Sequence, residues 1–263
     1  MTADLAQIDT KVNVRTESYA PAGPVSTVGN AAPTGRARRG SFDNTKSGMN
    51  FLAHALLHLD DPWVVAGTSL PDWLRVVQRG ARLPPARLSA LALADGTPAH
   101  RLRAGVLRHH EDDRRFHADP GFEALTHELT LALRALSPDP RFRASTLGHI
   151  SVEILVDASL LESHPGSGER YYQAIASLEP DELGRAASTL AGTELPRLPE
   201  LQRRFLQARF ILDYASDEGV CGALDAVLRR TGLPPTPPGT RAAIERARPQ
   251  VRHLTAALFP TPS

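Results

Sequence analysis

Cysteine is nearly absent from this chain: Cys221 is the only one in 263 residues. A single thiol excludes an internal disulfide framework and any Cys-rich zinc module, and it fits a reducing, cytoplasmic compartment. Lysine is almost as scarce. Lys11 and Lys46 are the only two, so every basic residue after position 46 is arginine, a bias that GC-rich codon usage accounts for. Net charge is small, at +1, which argues against nucleic-acid binding through bulk electrostatics. No apolar run approaches the ~20 residues of a membrane span. The N-terminus also lacks the charged start and apolar block of a signal peptide. What is present, 41% apolar and 22% charged residues, suits an ordinary globular protein with enough chain for a sizeable core. No membrane or nucleic-acid partner is expected, and no pattern sets an oligomeric state.

Residues 1–48 are rich in Pro, Gly, Ser, Thr and Ala with almost no clustered aliphatics, which predicts a disordered N-terminal tail. The run GRARRG within it reads as solvated. At Met49 the pattern changes abruptly to MNFLAHALLHL, apolar nearly all round, as a buried helix is. Met49 is therefore a natural domain start and a candidate translation start. That first helix should stop at Asp-Asp-Pro62. SLPDWLRVVQRG reads as a helix opened by Ser69 and closed at Gly80, PARLSALALAD as another ending at Gly96. A long helix follows, stopped before Pro120, then FEALTHELTLALRAL and a helix over 146–162. Further helices are expected near 170–177, 181–191, 198–213, 217–231 and 240–258. No stretch alternates with a period of two, so the fold class is all-α.

Side chains four apart on a helix share a face. On helix 146–162, His149, Glu153 and Asp157 lie at i, i+4 and i+8, among Leu147, Ile150, Val152, Ile154 and Leu155. Burying two carboxylates and an imidazole demands compensation, by a divalent cation or by a salt-bridge network. His54 shares a face with Phe51 and His58 and should look inward; a hydrogen-bonded core histidine is the plainer reading. Asp72 sits in S-L-P-D, where an N-terminal cap would explain it. In HHEDDRRFH the apolar stripe from Leu102 and Val106 continues through His109, Asp113 and Phe116 or His117, whereas His110, Glu111 and Asp112 fall on the solvent side. Inward imidazoles and carboxylates on several helices suit Mn²⁺, Fe²⁺, Mg²⁺ or Zn²⁺ rather than Ca²⁺. Such ions lower the pKa of bound water and clamp phosphate, the usual route to phosphoester hydrolysis.

MNFLAHALLHL, AGTSLPDWL, LRHHEDDRRFHADP and VEILVDASLL resemble, in order, four segments of the bacterial acyl carrier protein phosphodiesterase family. The resemblance spans roughly residues 49–165. It implies a divergent HD-type, all-α metallohydrolase: an HD-like metal-binding bundle over 49–165 with additional C-terminal helices over 166–263 packed on it. It implies a divalent metal, Mn²⁺ foremost, held by His54, Asp72, His109, Asp113 and Asp157. It also implies removal of 4′-phosphopantetheine from acyl carrier protein. The family's Asp-His pair is Asp157-Ala158 here, its first acid on that helix is matched by Glu153, and His117 competes with Asp119 for one position.

On this reading His117, His149 and Glu153 complete the metal shell or serve as acid–base groups. Arg75, Arg108 and Arg114, with Arg79, Arg82, Arg87, Arg101, Arg103 and Arg115 nearby, are candidates to meet a phosphate-bearing substrate; a solvated helix face is the alternative for most. Two other functions stay open: a noncatalytic helical module with a polar or metal-binding core that binds a protein, and an HD-type phosphohydrolase of nucleotides or small phosphate esters.

Overall fold

Prolines preceded by a capping side chain begin several of the helices. Asp61 accepts a hydrogen bond from the Val64 amide at the start of α2 (Pro62–Val77), and Thr97 accepts one from His100 at the start of α4 (Pro98–His117). Asp119 accepts from Gly121 and Phe122 at the start of α5 (Pro120–Leu136). In each case proline occupies a first-turn position whose amide would lack a partner anyway. The computed structural model describes residues 50–78, 80–139, 142–230 and 232–259; the tail expected over 1–48, and Arg79, lie outside the described residues. Among the described residues every regular element is helical, so the fold is all-α.

Three expectations for the first three helices are corrected. The first helix, α1, covers only Phe51–Ala55 before a 3₁₀ turn over Leu56–His58. Pro62 starts a helix instead of ending one, and α2 runs unbroken past Ser69 with Pro71 inside it. Ser69 is consequently no cap: its hydroxyl donates to the Val65 carbonyl and lies 2.6 Å from the Tyr171 hydroxyl. Asp72 thereby sits mid-helix, buried. Third, α3 stops at Ala90 (Pro85–Ala90), and Leu91 turns extended.

Downstream lie α6 (Ala144–Ser163), α7 (Ser167–Ala176), α8 (Pro180–Ala191) and α9 (Leu198–Ala208). The helix expected over 198–213 breaks at Arg209, which takes the left-handed φ of 47° and leads into a 3₁₀ turn over Phe210–Ala215. Its guanidinium lies over the Tyr172 ring and pairs with Glu169. The chain closes with α10 (Asp217–Arg230) and α11 (Thr240–Leu258).

α6 is the axis of the fold, buried at nearly every position from Leu147 to Leu160. It is the one described helix with the length and apolarity of a membrane span, and 83% of that window is inside the protein. α5, α10, α11 and α1 pack around it. α2 and α4 form the other tight pair, crossing where Gly67 meets Gly105. The apolar cluster is continuous from Phe51 to Leu254. At its centre Phe205 contacts Phe51, Trp73, Tyr172 and Phe210.

Candidate metal centre

The glycine contact between α2 and α4 decides where the first polar cluster forms. With no Cβ on either side, the α4 backbone comes close enough for the ring of His109 to reach the carbonyl of Thr68 at 2.8 Å. A carbonyl can only accept, so Nδ1 of His109 carries the proton and donates. The other ring nitrogen, Nε2, faces Asp113 Oδ2 at 3.3 Å. From α1, His54 brings its Nε2 to 3.4 Å from Asp113 Oδ1 and its Nδ1 to 3.6 Å from Asp112 Oδ2. The two imidazole rings lie 4.3 Å apart. Neither nitrogen of the buried His54 makes a hydrogen bond, and neither does Asp113 Oδ1. His54, His109 and Asp113 thus present three ligand atoms that could hold one metal ion.

Asp112 corrects the sequence reading. It was expected to face water, yet its side chain is only 14% exposed, behind His54 and braced by Arg108 at 2.8 Å. A carboxylate behind a ligand imidazole orients the ring and raises its basicity. His110, expected in solvent, is half-buried, with Nε2 2.8 Å from the Leu83 carbonyl. The signal that could have placed Asp112 is its three-residue spacing from His109, since a core-facing stripe is more than 100° wide.

A second cluster forms where α4 ends against α6. His117, the last residue of α4, and His149 both direct Nε2 at Glu153 Oε1, at 3.3 and 3.0 Å. His149 and Glu153 are buried, while the side chain of His117 is 33% exposed. The rings of His117 and His149 pack at 4.8 Å, and each meets Phe122 near 5 Å. These atoms also could hold an ion.

Asp72 and Asp157 stand apart from both triads. Asp72 is buried on α2 with Arg75 at 3.3 Å, and Oδ1 makes no hydrogen bond. Asp157 turns both oxygens to α1, accepting from the amides of Leu52 at 3.0 Å and Ala53 at 2.8 Å. It is the cap of α1, delivered from another helix.

The electrostatics follow burial and company. Burial pushes Asp72 up to about 6 against the opposing charges of His109 and Arg75. Burial likewise lifts Asp157 to about 7 against the two amides it accepts from. Asp113 is also raised by burial, but His109 and His54 outweigh that and hold it far below the usual carboxylate range. Glu153 is kept low in the same way by His117 and His149. For His54 burial favours the neutral ring, yet Asp112 and Asp113 overcome it and carry the imidazole to about 10.

The arginines divide by position. Arg108 and Arg115 line a cleft of about 590 Å³ beside His54, together with Arg170, which sequence reasoning did not single out. Arg75 is spent on Asp72. Arg114, with 68% of its side chain exposed, pairs with Glu111. Arg87, Arg101 and Arg103 fasten neighbouring segments, bonding Leu190, Asp61 and Leu91. Fold and site together define an all-α protein carrying two groups of histidine and carboxylate side chains that could bind metal. Comparison of the chain with protein-family models, with curated proteins and with solved structures finds no match in any of the three.

Proposed function

We propose that this protein is a metal-dependent phosphoric ester hydrolase, with a divalent ion, Mn²⁺ ahead of Mg²⁺, Fe²⁺ or Zn²⁺, at His54, His109 and Asp113. The observation that carries the reading is His54. It is 3% exposed, yet neither ring nitrogen makes a hydrogen bond, whereas buried polar groups are ordinarily paired. Ligand atoms around an ion with bonds of about 2.0–2.2 Å lie roughly 3.0–3.5 Å apart, and the Nε2–Asp113 separations of 3.4 and 3.3 Å match that spacing. When bound, such an ion supplies an acidified water and Lewis-acid stabilisation of a phosphoryl group.

The chain's own residues do the positioning. Thr68 fixes the tautomer of His109, Asp112 orients His54, and Asp157 anchors the helix that carries His54. In the adjoining cleft Arg108, Arg115 and Arg170 suit a phosphate, and Leu56, Leu59, Leu258 and Phe259 suit an apolar portion of the same substrate. The resemblance over residues 49–165 makes the 4′-phosphopantetheine of acyl carrier protein the first substrate to try, with small phosphate esters and nucleotides next.

One observation favours a second reading. With His54 held protonated by Asp112 and Asp113, the first cluster is a complete charge network without a metal, as a noncatalytic protein-binding module would have. Metal analysis separates the two. Wild-type protein supplied with Mn²⁺, Fe²⁺ or Zn²⁺ should retain an ion at the first cluster and hydrolyse phosphoesters, and His109→Ala should lose that ion and the activity. Wild type that retains no ion under any divalent supply refutes the hydrolase.

A further inference from the structure

We infer that His117, His149 and Glu153 form a second, separate divalent-cation site, reached through a cleft of its own between α5 and α6. α4 supplies both clusters: His109 and Asp113 belong to the first, and His117, one turn later and so about 5–6 Å further along, belongs to the second. α6 supplies the other side, with His149 and Glu153 one turn apart. The next turn of α6 carries Asp157, whose oxygens are committed to the α1 amides, so it joins neither.

Two features point to a cation rather than to an ordinary hydrogen-bonded histidine pair. First, two imidazole nitrogens converge on the same carboxylate oxygen, at 3.3 and 3.0 Å. That is the mutual spacing of donors around one ion with bonds of about 2.0–2.1 Å. Second, His149 is 4% exposed and its Nε2, 3.0 Å from Glu153 Oε1, makes no hydrogen bond. Its ring is fixed by packing on Phe122 and His117. An unpartnered buried nitrogen aimed at a fully buried carboxylate is costly with nothing between them, and a cation removes that cost.

Access separates this site from the first. The cleft beside His54 includes no residue of the second triad. A different cleft of about 680 Å³ reaches His149, and its walls include Glu123, Thr126, His127, Thr130 and Thr146. Three protein ligands leave at least one coordination position open. His149 is the ligand of the three that lines this cleft, so the ion is approached from that side. Two imidazoles and one carboxylate select Zn²⁺, Fe²⁺ or Mn²⁺ over Ca²⁺.

The inference stands whether or not the first cluster is hydrolytic, and one experiment tells them apart. The full chain is stripped with chelator and titrated with Zn²⁺ alone, with stoichiometry read by calorimetry and elemental analysis and folding checked by circular dichroism. Wild type should take up two ions per chain. His149→Ala and His117→Ala should each take up one, as should His109→Ala, and His109→Ala combined with His149→Ala should take up none. His117 is partly exposed, so its truncation opens no sealed cavity and keeps the test valid if His149→Ala unfolds. The inference is overturned if folded His117→Ala and His149→Ala keep the wild-type stoichiometry. It is equally overturned if wild type binds one ion that His109→Ala alone abolishes. A single ion lost in His117→Ala but kept in His109→Ala upholds the second site and removes the ion proposed for the first.

Discussion

Gly105→Ala tests whether the crossing of α2 and α4 builds the first cluster. A Cβ on Gly105 would stand 2.2 Å from the Val64 carbonyl oxygen and 2.8 Å from the Cα of Gly67, where ordinary contact begins at 3.4 Å. Both neighbours are backbone, so no side chain can swing aside, and the helices must part by about 1 Å. Overpacking of a core costs ~1–3 kcal/mol, and the upper end applies where backbone meets backbone. For a domain of this size each kcal/mol lowers Tm by roughly 2–4 °C, so a drop of about 6–12 °C is expected by calorimetry. The same movement reaches the site. His109 follows Gly105 by one turn and its 2.8 Å bond ends on Thr68, the neighbour of Gly67. Parting by about 1 Å takes that bond beyond hydrogen-bond length and frees the tautomer. Zn²⁺ affinity at the first cluster should fall by about 10–100-fold, with the second unaffected. A Gly105→Ala protein whose Tm and metal affinity match wild type would refute the argument.

Three further outcomes are expected. Because Asp112 and Asp113 hold the His54 proton up to about pH 10, metal uptake at the first cluster must displace it. Affinity should then rise about tenfold per pH unit from pH 6 to 9; a plateau above pH 7 in a Mn²⁺ titration would contradict this. Asp157→Asn removes one of the two acceptors for the Leu52 and Ala53 amides and turns an NH₂ toward the other, which should cost about 1–3 kcal/mol in thermal or denaturant unfolding. Burial raises Asp157 to about 7 in the folded chain, so the folded state holds that proton more tightly than the unfolded state. Its contribution is full below its ordinary pKa and declines as pH rises through about 7, a slope that Asp157→Asn should lack. Arg108→Ala, which strips the brace from Asp112 and one cation from the cleft, should lower kcat/KM on a phosphoester by about tenfold. Arg114→Ala should leave it within about twofold; equal losses would put the substrate on the wrong face.

The end of the long helix before Pro120 was legible because proline interrupts a helix, whereas the part Asp119 and Pro120 play in opening α5 is visible only in the structure. The helices were misread at Pro62 and Pro71, since proline's local chemistry permits it to end, begin or sit inside a helix and only tertiary packing chooses. α9 was overrun because nothing local announces a left-handed arginine at 209; Tyr172 and Glu169, far off in sequence, hold it. Within the site, spacing of four found His149 with Glu153 and His109 with Asp113. Assigning His117 to one cluster and His54 to the other needs the register of α4 against α6 and the docking of α1, which spacing along one chain does not encode.

Asp157 shows how a residue can matter to the proposed metal site without touching it. Counting ligands along α6 invites it into the coordination sphere, one turn beyond Glu153. Its oxygens instead meet the first amides of α1, a five-residue helix too short to be stable alone. His54 is the fourth residue of that helix and the only one of the eight expected ligand and acid–base residues that it supplies. The orientation of α1, and with it the direction of Nε2 of His54, therefore depends on a contact that leaves no trace in helical phase, because the partner is backbone. Replacing one of its acceptor oxygens in Asp157→Asn should loosen α1 and weaken the first cluster's hold on a cation while leaving His117, His149 and Glu153 intact. If Asp157→Asn instead abolished binding at both clusters equally, the aspartate would be acting on the whole fold and not through the anchoring of α1.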